Sequence, residues 1–189
     1  FRRLVFDELC ANFFTLSENR KRIKKEKIQK KFSQLKSNNI KKKLPFILTK
    51  SQENVLFEIN KDLSSKKRMF RIVQGDVGSG KTIVSLLAIS NIIESGYQCA
   101  FMGPTEILAK QHYELAKKIY KDENVNIDFL TGKTEPKNRK EILKNLESGK
   151  TNLLIGTHAL FQKKINFKKL GLAIIDEQHK FGVKQRSEL

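Results

Sequence analysis

Apolar positions along the chain recur with two different periods, and the change of period divides it. Between residues 4 and 35, Leu4, Leu9, Phe13 and Leu16, then Ile23, Ile28, Phe32 and Leu35, keep a helical spacing with no Pro or Gly among them. This pattern predicts one long helix, or two in series, broken at Ser37-Asn38-Asn39. Pro45 separates this segment from the rest of the chain. Thr49, with Gln52 three residues on, has the form of a capping box, and Val55, Leu56, Ile59 and Leu63 supply the buried stripe of the helix it opens.

Further on, short apolar runs alternate with helical stretches. Strands are expected at residues 70–74, 98–102, 125–130, 153–156 and 172–176, and helices at 81–95, 106–120 and 136–147. Gly96 and Gly149 stand where two of these helices should stop. Short apolar strands interleaved with helices predict an α/β fold, a parallel sheet sandwiched by helices. The division expected is a basic helical arm over residues 1–43 and an α/β body over residues 44–189.

Charge sharpens this division. The 189 residues carry a formal net charge of +18. The stretch from Arg20 to Lys43 alone contributes +11, with Glu26 as its one acid. The arm therefore presents either the solvated face of a helix or a surface for a polyanion, and one segment can do both. The basic residues are mostly Lys, a bias that codon usage also produces, so charge alone leaves nucleic acid, anionic lipid and ribosome open. The longest apolar runs, 83–89 and 170–175, fall far short of the roughly 18 residues of a membrane span. Cys10 and Cys99 lie far apart, as expected of reduced thiols in a cytoplasmic protein. The first residue is Phe1, no signal peptide is visible, and the chain ends at Leu189, so a piece of a longer protein is expected.

The chemistry concentrates in two places. Gly75-Asp76-Val77-Gly78-Ser79-Gly80-Lys81-Thr82 fits G-x-x-x-x-G-K-[ST] in full, between an expected strand and an expected helix. Glycines let backbone N–H groups turn inward around phosphate oxygens, and the helix N-terminus adds a partial positive charge. Lys81 then reaches the β- and γ-phosphates, and the Thr82 hydroxyl holds Mg2+. A dinucleotide loop fits less well, because Ile83 stands where its third glycine belongs. The second place is Asp176-Glu177, at the end of an apolar strand. A parallel strand delivers both acids to the carboxyl edge of the sheet, Asp176 for the metal and Glu177 as the base that activates water. Gln178 and His179 come next, and His179 is either an ordinary exposed histidine or a link from the γ-phosphate to DNA-binding elements.

These stretches resemble the first RecA-like lobe of superfamily-two helicases, and most closely the RecG family of branched-DNA helicases. The resemblance rests on residues 73–82 for the phosphate loop and on residues 175–186, whose Asp176-Glu177-Gln178-His179 is similar to the family's DEQH box. Between them, Gly103-Pro104-Thr105-Glu106-Ile107-Leu108-Ala109 with Gln111-His112 looks like motif Ia, Leu130-Thr131-Gly132 like motif Ib, and Gly156-Thr157-His158-Ala159-Leu160 like the motif after it. Phe46 and Gln52 look like the adenine-reading Q motif, although Gln52 serves equally well to close the capping box. Transcription–repair coupling translocases are similar but typically read D-E-E-H where Gln178 stands here.

The resemblance implies ATP and Mg2+ as cofactors and Gln178 and His179 as coupling residues. It also implies DNA contacts from Pro104, Thr105, Glu106, Thr131, Gly132, Gly156, Thr157 and His158. The implied partner is branched DNA recognised by structure rather than base sequence. A wedge domain and a second lobe with arginine fingers are implied outside residues 1–189, with a monomer favoured. The 189 residues alone are then expected to turn ATP over poorly. The contrasting expectation is a binding lobe without turnover.

Overall fold

A computed structural model gives the fold and describes residues 35–161 and 165–177. The expected arm up to residue 34, Cys10, Gln178 and His179 lie outside the described residues. The elements in chain order are α1 (Leu35–Lys43), α2 (Lys50–Leu63), α3 (Lys81–Glu94), β1 (Gln98–Met102), α4 (Glu106–Ile119), β2 (Ile127–Leu130), α5 (Pro136–Ser148), β3 (Leu153–Gly156) and β4 (Leu170–Ile175). A single 3-10 turn, His158–Phe161, comes after β3.

The strands form one parallel sheet in the order β2-β3-β1-β4. The chain therefore skips a place twice, from β1 over β3 to β2 and from β3 over β1 to β4. Such skips bring loops from distant parts of the chain together at the carboxyl ends of the strands. Side chains alternate across the sheet, so each face has its own core. Cys99, Phe101, Leu153, Ile155 and Leu172 join the buried residues of α2, α3 and α4 on one face. Met102, Leu130 and Leu154 join Leu146 of α5 and Leu160 on the other. The expected sandwich of helices about a parallel sheet is the fold observed.

Local signals set most boundaries. Thr49 caps α2, and Gln52 returns the bond to the Thr49 N–H, completing the capping box. Gly96 and Gly149 adopt left-handed φ values of 79° and 85° after α3 and α5, and Pro136 opens α5.

Two expectations are corrected. Ser37-Asn38-Asn39 does not break a helix; α1 runs through it. Ser37 and Ile40 are buried, with Ile40 in the core that includes α3, and this tertiary burial overrides the weak propensity of the polar triplet. Residues 70–74 do not form a strand, and they pair with none of β1 to β4. Phe70, Ile72 and Val73 are exposed. Arg71 instead ties the segment to α2 through Glu58 (2.5 Å) and Asp62 (2.8 Å). Apolar content makes a segment fit for a sheet, but a strand exists only where its backbone finds a partner.

Candidate nucleotide and metal site

The loop from Gly75 to Ser79 is exposed and leads into α3. Gly78 and Gly80 have φ values of 81° and 83°, a region that residues with a Cβ adopt only at a cost. Gly80 is the N-cap of α3, and no side chain caps this helix. The N–H groups of its first turn are thus left for an anion, with the helix dipole behind them. Lys81 Nζ donates to the carbonyls of Gly75 (2.6 Å) and Asp76 (2.8 Å), which holds its ammonium within the loop. Thr82 is half-buried in the first turn of α3.

Gln52 has two occupations. Its Oε1 accepts from the Thr49 N–H at 2.9 Å, and its Nε2 donates to the carbonyl of Ser79 at 2.9 Å. The capping box is therefore formed, and the same amide braces the phosphate loop. A Cβ on Gly80 would run into that Nε2, a second reason for glycine there. Phe46 is exposed, in the segment that leads to the buried Leu48.

The strand ends meet nearby. The Gly103 N–H donates to the Gly156 carbonyl (2.9 Å), and the Asp176 N–H to that of Met102 (2.8 Å). Thr105 caps α4, its hydroxyl accepting from the Leu108 N–H at 3.3 Å. Glu106 pairs with Lys133 at 3.1 Å, which joins the start of α4 to the loop after β2. Sheet order thus gathers Pro104, Thr105, Glu106, Thr131, Gly132, Gly156, Thr157 and His158 along one edge. They differ in what they present. Thr105, Gly132 and His158 are exposed, whereas Thr131 and Thr157 are buried. The Thr131 hydroxyl accepts from the Lys133 N–H within its own turn. Gly156 lies so close to the Leu130 carbonyl that no Cβ fits, so packing alone accounts for this glycine.

Asp176, the residue after β4, lies beside an unforeseen partner. Nε2 of His112, on α4, lies 2.8 Å from Asp176 Oδ2. This bond is the largest influence holding the Asp176 carboxyl below the usual carboxylate range. Burial opposes it, and the Lys81 charge adds to it. Glu177 has φ 51°, the one left-handed non-glycine among the described residues, at a cost of roughly 1–2 kcal/mol. Strain of this kind gathers at functional turns. The Cys99 thiol, by contrast, is buried and raised far above its ordinary range by desolvation, as suits a core residue.

These groups fit a magnesium nucleotide. Asp176 and Thr82 offer hard oxygen donors, and the carboxylate is held ionised. Among the described residues no three His, Cys, Asp or Glu gather as a metal cage. Mg2+ needs none, since it is usually held by one or two carboxylates, waters and the substrate's phosphates.

Residues 49–189 match the family model described as DEAD/DEAH box helicase. The chain belongs to the DEAD/DEAH box helicase family. Within that family it is 47% identical to the ATP-dependent DNA helicase RecG of Aquifex aeolicus, over all of this chain and 24% of that protein. It is 45% identical to RecG of Bacillus subtilis, over all of this chain and 28% of the relative. The chain thus spans about a quarter of the length of the curated relatives it matches. A solved structure titled "Structure of RecG bound to three-way DNA junction" superposes with a TM-score of 0.84 at 42% identity, over 96% of this chain and 25% of that one. The UvsW helicase of bacteriophage T4 shares the fold at a TM-score of 0.59 and 16% identity. The similarity to RecG takes in the basic arm, and so reaches further than the motifs do.

The sequence placed His112 only in the resemblance to motif Ia and gave it no partner. Its signal was a polar residue on the otherwise apolar buried face of a helix, between Ala109 and Ala116. The Glu106–Lys133 link left no such signal, since charged residues on exposed turns are common.

Proposed function

We propose that this chain is the ATP-binding motor lobe of a DNA helicase. The parent enzyme remodels branched DNA, such as stalled forks and Holliday junctions, in recombination and repair, and couples ATP hydrolysis to movement along the duplex. The observation that carries this reading is the uncapped N-terminus of α3, a helix that packs against β4, with the Asp176 carboxylate just past that strand. In this site the loop from Gly75 to Gly80 receives the phosphates, and Lys81 neutralises them. Thr82 and Asp176 hold the magnesium ion, which supplies charge neutralisation when bound. Glu177 orients the attacking water and takes its proton. Phe46 and Gln52 flank the base, and Gln178 and His179 couple the site to DNA.

The RecG relatives support DNA as the partner, since one of them is solved on a three-way junction. Thr105, Gly132 and His158 stand exposed along the sheet edge, and their neighbours on the same loops shape it. Contacts from short polar groups and helix N-termini to phosphates carry no base information. Binding is then directed by structure and weakens with salt. The second lobe supplies arginines worth about 10³–10⁵ in rate, and the wedge domain holds the branch. The setting is cytoplasmic.

The test is Mg-ATP turnover by this chain and by the full-length protein, each with and without forked DNA. DNA-stimulated turnover in the full-length protein with little in the 189 residues is the expected result. Robust turnover by the chain alone would show that the second lobe is not needed, and no turnover in either would remove the motor reading.

A further inference from the structure

The bond between His112 and Asp176 is the feature that the phosphate loop and the acidic pair leave unexplained. His112 lies about two turns into α4 from Thr105, on the face it shares with Ala109 and Ala116. Its side chain is only 9% exposed. The ring stacks on Phe101 of β1, with centroids 4.7 Å apart and planes 15° from parallel. It is thus clamped between helix and sheet before it meets anything polar. Its Nε2 then reaches Asp176 Oδ2 at 2.8 Å, across 64 residues of chain.

An ionised carboxylate only accepts hydrogen bonds, so Nε2 carries the proton and donates it. Packing alone does not call for this donor. A phenyl ring fills the space against Phe101 without bringing a polar edge into the core, and polar edges are costly there unless bonded. What the donor adds is direction. The last torsion of an aspartate side chain is broad and roughly two-fold, so an unheld carboxylate samples many orientations. A bond from a ring that is itself pinned by stacking removes that freedom at Asp176.

We propose that His112 is a positioning residue for Asp176, fixing the carboxylate with which the site takes up its divalent cation. The proposal rests on the reading of Asp176 as the magnesium carboxylate. It adds to that reading a member of the site supplied by α4, the helix that begins at Thr105. His112 touches neither nucleotide nor reacting water; it acts through Asp176.

Two substitutions in the full-length protein separate the donor from the ring. His112→Gln keeps an N–H donor at similar reach and gives up the stacking. His112→Phe keeps the stacking and gives up the donor. The readout is binding rather than turnover: a fluorescent ADP titrated across a series of Mg2+ concentrations, with EDTA as the metal-free reference. Loss of a group that orients a metal ligand costs about 10- to 100-fold in metal affinity, so His112→Phe should raise the half-saturating Mg2+ about tenfold. ADP binding in EDTA should stay at the wild-type level. His112→Gln should stay within about threefold of wild type, because the donor is kept. Melting curves establish that each variant is folded, and His112→Leu replaces His112→Phe should the latter not fold.

An unchanged Mg2+ requirement in the donor-free variant would overturn the proposal. A larger loss in His112→Gln than in His112→Phe would overturn it too, and would make His112 a packing ring. Lys81→Ala is the control for the site itself. If that variant binds ADP as well as wild type, the nucleotide reading fails and the role of His112 fails with it. If it binds poorly while His112→Phe behaves as wild type, only the role of His112 is lost.

Discussion

Helices α3 and α4 lie on the same face of one sheet and begin in opposite ways. α4 closes its own end: Thr105 is extended and its hydroxyl accepts from the Leu108 N–H. α3 leaves its end open: Gly80 is left-handed and offers no side chain to the first turn. Two helix N-termini with similar dipoles are thereby given different uses. The capped end of α4 has satisfied one of its own donors and offers an exposed hydroxyl to a partner. The open end of α3 keeps its donors for an incoming anion and depends on that anion to satisfy them. What separates a phosphate site from an ordinary helix start is thus the absence of a capping side chain, enforced by a glycine whose φ and whose neighbour Gln52 both exclude one.

Under the proposed function, binding falls to the start of α3 and hydrolysis to the acids after β4. The sharpest way to break it is Glu177→Gln in the full-length protein. A general base contributes about 10²–10⁴ in rate, so turnover should fall by that factor while ATP affinity holds. A matching loss of affinity would mean that the loop does not bind ATP on its own. Lys81→Ala comes next. Hydrogen bonds to charged groups contribute about 1.5–3 kcal/mol, so nucleotide affinity measured by calorimetry should drop roughly 10- to 100-fold.

Gln52 tests the middle ground, since it serves a closed end and an open one together. Glu at this position still accepts from the Thr49 N–H but cannot donate to the Ser79 carbonyl. Gln52→Glu should therefore keep the melting temperature, yet weaken nucleotide binding by the several-fold that a lost neutral hydrogen bond of about 1 kcal/mol implies. A fall in melting temperature with unchanged affinity would reverse the two roles. The smallest effect is expected at the closed end. Thr105→Ala should cost about 1 kcal/mol of stability in denaturant unfolding, as cap removal does, and leave ATP affinity as it was. A change in ATP affinity there would show that the two termini are not independent.

How much of this was legible in the sequence depended on the range of the interaction. The capping box at Thr49 and Gln52, the glycine stops at Gly96 and Gly149 and the proline start at Pro136 all act within four residues. The glycine turn before α3 was equally legible, because its conformation depends on consecutive residues. The errors fell where distant parts decide. Residues 70–74 read as a strand because their apolar content suits one, but pairing is a property of the partner as much as of the segment. Ser37-Asn38-Asn39 read as a break because these residues favour turns, but burial against α3 held the helix together.

By itself the sequence determined most of the elements, the glycine turn before α3 and the place of the acids after β4, since each depends on residues close together in the chain. Only the tertiary structure decided the order β2-β3-β1-β4 and, with it, which loops share an edge. It alone decided that Thr131 and Thr157 are buried while Thr105 and His158 are exposed, that Gln52 braces the loop, and that His112 meets Asp176. The reason is physical: a cap or a left-handed glycine satisfies its own backbone wherever the chain goes, whereas a sheet neighbour or a buried pair exists only once the crossovers have brought two distant segments into contact.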